Sequence, residues 1–142
     1  MPVTSFQVST RHSGRLRTLK VCVYDSFAAL RRAGRAYSKR TGAATGGMER
    51  AYGLAQTADW ARVSPGGLVR RLPQVGVMRL CRKAIGSGTV AHEVAHIAVA
   101  IYRQDVGRTF PNMKREEVFC YLVGELSQKV VSGLYRHKVL VK

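Results

Sequence analysis

The pentapeptide His92-Glu93-Val94-Ala95-His96 places two imidazoles and a carboxylate where they could bind and use a metal ion. Histidines at positions i and i+4 of a helix lie on one face about 6 Å apart, so their ring nitrogens can converge on one Zn²⁺ at about 2.0–2.1 Å. Glu93 points about 100° around the helix from His92. Its carboxylate can therefore reach a zinc-bound water without occupying a ligand position, as a general base must. This spacing is the HExxH pattern of zinc-dependent hydrolases.

A helical projection of the segment around this motif separates a ligand face from an apolar face. His96, Val99 and Arg103 fall within about 40° of His92. The apolar residues cluster on the far side, and they are Val90, Val94, Ile97, Ala98 and Ile101. A helix of this kind can pack its apolar face into a core while two histidines stay free to bind a metal.

A catalytic zinc site needs a third protein ligand and one open position. The acids of this chain are few, namely Asp25, Glu49, Asp59, Glu93, Asp105, Glu116, Glu117 and Glu125. A glycine and a proline within residues 104–112 predict a loop there, followed by a second helix over residues 113–135. Glu116 and Glu117 lie in the first turn of that helix. A short antiparallel connection would bring the turn back near the first helix.

At these residues the chain resembles the zincin metallopeptidases, and more narrowly the small gluzincin-like proteins, including IrrE-like peptidases and phage-type HExxH proteins. The resemblance covers residues 75–84, 89–96 and 116–124. These segments are similar to the family pattern of an edge strand, an active-site helix, and a Glu-bearing helix with an aromatic residue one turn after the Glu.

The resemblance implies that an acid of the second helix is the third zinc ligand. Tyr121 follows Glu117 by one helical turn, which favours Glu117. Glu116 remains the alternative, because it aligns with an apolar stripe that could face both the core and the metal. The other acid of the pair is expected to be a solvated residue that complements the helix dipole.

Other histidines and cysteines fit a zinc site less well. Val99 and Tyr102 occupy the glycine and third-histidine positions of the extended HExxHxxGxxH motif, which argues against a metzincin. His12 and His137 lie in polar and basic stretches, so neither is expected as a ligand. Cys120 is expected to be a buried core residue.

The chain is strongly basic, with 24 Lys and Arg against 8 Asp and Glu and a net charge of +16. Sixteen of the 24 precede Ile85. Such an excess favours attraction to nucleic acid or another acidic partner. An inert, solvated basic surface is the alternative. The basic stretch 26–40 has no visible partner helix for a helix-turn-helix arrangement.

Length and cysteine content predict one domain. Residues 15–142 are expected to form it, and residues 1–14, which are polar and lack periodicity, to be a mobile N-terminal arm. Cys22, Cys81 and Cys120 are odd in number and have apolar neighbours, which indicates buried reduced thiols. The sequence shows no apolar leader and no run long enough to cross a membrane, so we expect a cytoplasmic protein with no membrane partner.

Periodicity and turn residues predict the remaining elements. Strands are expected at residues 16–24, 52–60, 68–72 and 75–84, and a helix at residues 26–40 capped by Ser26. Residues 42–47 should break that helix, and residues 64–67 should form a turn. Gly53 is a weakness in its predicted strand.

The predicted strand 75–84 precedes the metal-binding helix. In zincin-like folds such an edge strand pairs with the substrate by β-augmentation and presents the scissile carbonyl to the metal. Arg79, Arg82 and Lys83 would protect a free edge against aggregation, or would select acidic peptides.

We therefore expect an α+β, zincin-like domain, in which a small twisted mixed sheet packs on helix 26–40 and on the HExxH helix, with the Glu117 helix behind. The expected activity is that of a zinc-dependent metallopeptidase acting on a protein or peptide. Zn²⁺ would be held by His92, His96 and Glu117, with Glu93 as general base. Tyr121 or Arg103 would stabilise the oxyanion. Two alternatives stay open: a nucleic-acid- or regulator-binding protein on the same scaffold, and a hydrolase of a non-peptide bond.

Overall fold

The computed structural model describes residues 1–43 and 50–141. This part of the chain forms a small α+β fold with a mixed sheet and three α-helices, which confirms the predicted class. The strands are β1 (Thr4–Thr10), β2 (Arg17–Tyr24), β3 (Gly53–Thr57), β4 (Ala61–Val63), β5 (Val69–Arg71) and β6 (Gln74–Cys81). The helices are α1 (Phe27–Thr41), α2 (Ser87–Asp105) and α3 (Met113–Arg136).

The main sheet has the strand order β1-β2-β6-β3. Strands β2 and β6 are parallel, whereas β1 pairs antiparallel with β2 and β3 pairs antiparallel with β6. Helix α1 packs on one face of the sheet, and helices α2 and α3 pack on the other. Because side chains alternate along a strand, β2 and β6 each supply residues to both layers.

The N-terminal segment belongs to the sheet, so the predicted mobile arm is wrong for Thr4–Thr10. The whole of β1 pairs with β2, from Thr4 opposite Val23 to Thr10 opposite Arg17. Phe6 and Val8 pack against the main core. The segment looks polar in sequence because an edge strand has only one buried face, and here that face carries just two large apolar side chains.

The prediction that residues 75–84 form a free edge strand is also wrong. Strand β6 ends at Cys81, and it lies between β2 and β3. Residues Arg82–Ala84 form a 3₁₀ turn instead. The apolar character of β6 reflects burial on both faces, as expected for a central strand. In the described part of the chain, β3 is the strand at that edge of the sheet.

Helix α1 begins and ends where the sequence indicates. The Ser26 hydroxyl caps it by accepting a hydrogen bond from the Ala29 amide at 3.1 Å. Gly42 ends it in the left-handed conformation with φ of 75°. The rest of the predicted break, residues 44–47, lies outside the described residues. Leu30 and Phe27 pack against Tyr24 and Cys81, which forms a second, smaller core.

Helices α2 and α3 form an antiparallel hairpin over the main core. Val94, Ile97 and Ile101 are fully buried on the inner face of α2, and each contributes about 1.5–3 kcal/mol by leaving water. Asn112 caps α3 by accepting from the Arg115 amide at 3.0 Å. The Arg115 side chain also donates to the carbonyl of Val106 at 2.6 Å. This contact ties the start of α3 to the end of α2.

Strands β4 and β5 form a separate exposed hairpin closed by the predicted turn at residues 64–67. Among the described helices, none combines the length and the apolar character needed to span a membrane.

Candidate metal centre

His92 and His96 lie side by side on the exposed face of α2. Their Nε2 atoms are 3.2 Å apart, and their rings meet edge to face with centroids separated by 4.8 Å. Two Zn–N bonds of about 2.0–2.1 Å that meet at a roughly tetrahedral angle span about 3.3 Å. The histidine pair therefore fits a tetrahedral zinc ion without any movement of the helix.

The apolar face predicted for α2 is confirmed, since its members Val90, Val94, Ile97, Ala98 and Ile101 are all buried. This face fixes the rotation of the helix on the sheet. The histidines on the opposite side are consequently held in a defined position by packing that involves neither of them.

Glu93 lies between the histidine face and strand β3, and it is only 5% exposed. Burial raises the pKa of its carboxyl group, while the charges of His92 and His96 and the backbone amide of Ala55 act to lower it. A carboxylate in this position can hold a proton taken from a water bound beside the imidazoles.

Gly53 makes the close approach of β3 to α2 possible. A Cβ atom at this position would lie 2.9 Å from Cγ of Glu93 and 3.1 Å from Cγ2 of Thr89. The glycine that weakens the predicted strand is therefore the residue that lets Glu93 pack against it.

A cavity of about 650 Å³ opens beside the motif. It is lined by Arg50, Ala51, Tyr52, Gly53, Leu54, Ala55, Gly88, Thr89, His92, Glu93 and His96. Its size is that of a typical ligand pocket. The cavity joins the motif to the start of β3, which sequence reasoning had treated only as a strand.

Arg50 and Tyr52 are polar residues of this cavity that the sequence analysis missed. Tyr52 is largely exposed, and its ring packs edge to face on Phe27 with centroids 5.6 Å apart. The residues predicted to stabilise an oxyanion, Tyr121 and Arg103, do not line the cavity. Tyr121 instead stacks on His12 at the side of the molecule near β1.

The structure does not bring Glu116 or Glu117 to the histidines. Phe119, in the second turn of α3, packs on Tyr102, which lies about 9 Å along α2 beyond His96. Both acids lie still closer to the Asp105 end of α2, and both are exposed. No group of three potential metal-ligating side chains forms within residues 1–43 and 50–141.

Four other described acids have partners elsewhere. Asp25 pairs with Arg82, Asp59 with Arg71, Asp105 with Arg15 and Arg17, and Glu125 with Lys129 and His12. Glu49, another acid named by the sequence analysis, lies outside the described residues. Glu93 is therefore the described acid that the fold places beside the two imidazoles.

The cysteines take no part in this site. Cys22 and Cys81 are buried free thiols, as predicted. The prediction of a buried Cys120 is wrong, since this thiol is exposed on the outer side of α3. Cys120 faces solvent because Leu122 and Leu126 define the packed face of the helix.

Comparison of the chain with family models, curated proteins and solved structures gives no match.

Proposed function

We propose that this protein is a zinc-dependent metallopeptidase with a zincin-like active site. The observation that carries the proposal is the pair of imidazole Nε2 atoms 3.2 Å apart, next to the buried carboxylate of Glu93 and open to one cavity. A purely structural metal site has no use for a buried carboxylate that is not a ligand. A hydrolytic site needs one as its base.

His92 and His96 would hold the metal through Nε2. Bound zinc supplies Lewis acidity, which acidifies a coordinated water and polarises a substrate carbonyl. The described residues provide two of the three protein ligands expected of a catalytic zinc site, and the cavity beside them would admit water and substrate.

Glu93 acts in this proposal as the proton acceptor. Its neighbours Gly53 and Ala55 lie on the strand side of the helix, where the Ala55 backbone amide donates a hydrogen bond to the carboxylate. It would accept a proton from the attacking water and later deliver that proton to the leaving amine. Tyr52 and Arg50 line the cavity and would offer hydrogen-bond donors to a developing oxyanion.

Strand β3 favours a polypeptide as the substrate class. One of its edges pairs with β6, and the described residues supply no strand for its other edge. The same strand borders the cavity. An extended peptide added at this edge would run past Glu93 and the histidines, with backbone hydrogen bonds holding its register. The substrate edge is thus β3 and not residues 75–84.

We place the protein in the cytoplasm in this proposal. The three cysteines are free, and two of them are buried in the smaller core around Tyr24, where a reducing compartment would maintain them as thiols.

Zinc stoichiometry with matched variants tests the proposal. The purified protein should bind close to one Zn²⁺ per chain, and His92→Ala or His96→Ala should abolish that binding. Glu116→Gln and Glu117→Gln should leave the affinity within about twofold, because α3 begins at the far end of α2. The zinc affinity of Glu49→Gln is measured in the same way, because Glu49 is the acid that lies outside the described residues.

The companion measurement is hydrolysis of an unfolded polypeptide, with and without a chelator. Activity should disappear with the chelator and return with added zinc. Equal metal content in the wild type and both histidine variants would overturn the metal site. Full zinc occupancy without cleavage of any peptide in a broad library would overturn the proposed peptidase activity.

A further inference from the structure

Arg79 is a buried cation to which the described residues give no acidic partner. It is 6% exposed, yet the described residues place no carboxylate within ion-pair distance of it. Its Nε donates to Oε1 of Gln56 at 3.0 Å, and its Nη1 donates to the hydroxyl of Tyr24 at 2.6 Å. Burial raises the pKa of Tyr24, and the adjacent Arg79 charge opposes that effect, so the phenol stays neutral. Buried charges are normally paired. The charge of Arg79 is not.

The two acceptors hold Arg79 in one orientation. The Gln56 side chain is itself fixed, since its Nε2 donates to the Gly34 carbonyl at 2.9 Å and to the Ser38 hydroxyl at 2.8 Å. With Nε and Nη1 engaged, Nη2 has no acceptor among the described residues. The network therefore fixes the guanidinium and leaves its Nη2 without a hydrogen-bond partner among the described residues.

Arg79 lines a cavity of about 450 Å³ on the α1 face of the sheet. Lys20 and Arg40 also line it, and none of its lining residues is an acid. The Tyr37 ring has the Arg79 guanidinium 5.3 Å from its centroid and that of Arg40 5.6 Å away. Like charges gathered in this way repel one another, and an anion bound among them would remove the repulsion.

Trp60 supplies an independent observation in the same cavity. Its indole Nε1 is buried and has no hydrogen-bond acceptor among the described residues. The indole is also a flat apolar surface on which a planar ring can stack. The cavity thus offers hydrogen-bond donors, positive charge and an aromatic surface, and none of its lining residues is an acid.

We propose that this cavity binds the phosphate of a nucleotide, with Arg79, Arg40 and Lys20 around the oxyanion and Trp60 beside the base. A nucleotide fits the volume of the cavity and can stack on the indole of Trp60. An acidic side chain would make no stacking contact. The phosphate can come from a free mononucleotide or from a single strand of nucleic acid. The site is separate from the metal centre, because Arg79 faces the α1 layer while its neighbours Met78 and Leu80 face α2.

Trp60 is the only tryptophan of the chain, so its fluorescence reports on this cavity directly. The protein is titrated at about 50 mM salt with adenosine monophosphate, a short oligothymidylate and polyglutamate, each with inorganic phosphate as competitor. We expect a saturable change with a nucleotide probe that phosphate reverses. Saturation by the mononucleotide indicates a free nucleotide, and saturation by the oligomer alone indicates a strand.

The variant K20Q/R40Q removes two rim charges from exposed side chains and keeps the Arg79 network intact. It should weaken nucleotide binding about tenfold or more, with a smaller slope of log affinity against log salt. K83Q/R103Q removes the same charge from exposed positions away from the cavity and should leave the affinity within about twofold. Equal weakening by both pairs would overturn the proposal in favour of diffuse attraction. Tighter binding of polyglutamate than of either nucleotide, or no saturable response, would also overturn it.

Discussion

Helix α2 carries two buried carboxylates, and they differ in what surrounds them. Asp105, near the C-terminal end, has a side chain 3% exposed and accepts hydrogen bonds from Arg15 Nε at 2.9 Å and from the Ser13 hydroxyl at 2.6 Å. The fully buried Arg17 side chain adds a second cation at 3.4 Å. Glu93 is equally buried, but the described residues give it no Lys or Arg partner.

This difference separates a structural carboxylate from one available for chemistry. Asp105 joins the β1–β2 connection to the end of α2, and its charge is neutralised in place. The neighbours of Glu93 are instead the two imidazoles, whose Nε2 atoms lie 3.2 Å apart. A carboxylate kept buried without a permanent cation is typical of catalytic sites.

The largest expected effect comes from breaking the Asp105 network. Asp105→Asn should lower the free energy of unfolding by about 3–5 kcal/mol, because it leaves buried arginine charge without its partner. Glu93→Gln removes a buried charge that has no such partner, so it should change that free energy by about 1 kcal/mol or less. Urea denaturation of the metal-free proteins measures both. Equal losses would show that the two carboxylates serve the same structural purpose.

A smaller effect is expected from Gly53→Ala, which crowds only the Glu93 end. The new Cβ would lie 2.9 Å from Cγ of Glu93, and such overpacking typically costs about 1–3 kcal/mol. Hydrolysis should fall as well, because β3 must move away from the base. Gly124→Ala is the matched control, since open space surrounds that exposed helical position. If Gly53→Ala matched Gly124→Ala in stability and activity, the close packing of Glu93 on β3 would be refuted.

The smallest effect concerns Glu125, a carboxylate that resembles Asp105 in having cations beside it. Burial alone would raise its pKa, but hydrogen bonds from Lys129 and Thr10 and the charges of Lys129 and His12 lower that pKa below the ordinary 4.5. A lowered folded-state pKa means stability that is present above pH 4.5 and lost as the pH falls through the folded value.

Glu125→Gln should therefore flatten the acid limb of the stability profile, by about 1 kcal/mol or less. Thermal unfolding from pH 6 to pH 3 measures this slope. Glu116→Gln, at an exposed acid of the same helix, serves as the control, and an identical slope in the two variants would contradict the assignment.

The sequence predicted what depends on local periodicity and capping. Helix α2, its apolar face and the adjacent histidines follow from the 3.6-residue repeat alone. The Ser26 cap and the start of α3 at Met113 follow from side-chain chemistry within a few residues. These features need no knowledge of distant parts of the chain.

The errors all concern long-range pairing. Whether residues 75–84 form an edge strand or a central strand of the sheet depends on where β2 and β3 pair. The local sequence pattern does not predict that pairing. The sequence of β1 alone does not predict a strand, because the segment is held in the sheet by its pairing with β2. From the sequence, Glu117 is expected near the histidines because a short connection brings α3 back alongside α2. The position along α2 at which α3 packs is set by contacts such as that of Phe119 with Tyr102.

The most direct test of the central claim is a paired measurement on the Glu93→Gln variant. Its zinc affinity and its rate of polypeptide hydrolysis are compared with those of the wild type at the same metal occupancy. We predict an affinity within about twofold and a rate lower by about 10²-fold or more, because the amide cannot accept the proton. Zinc lost together with activity would make Glu93 a ligand, and an unchanged rate at full occupancy would contradict its role as the base.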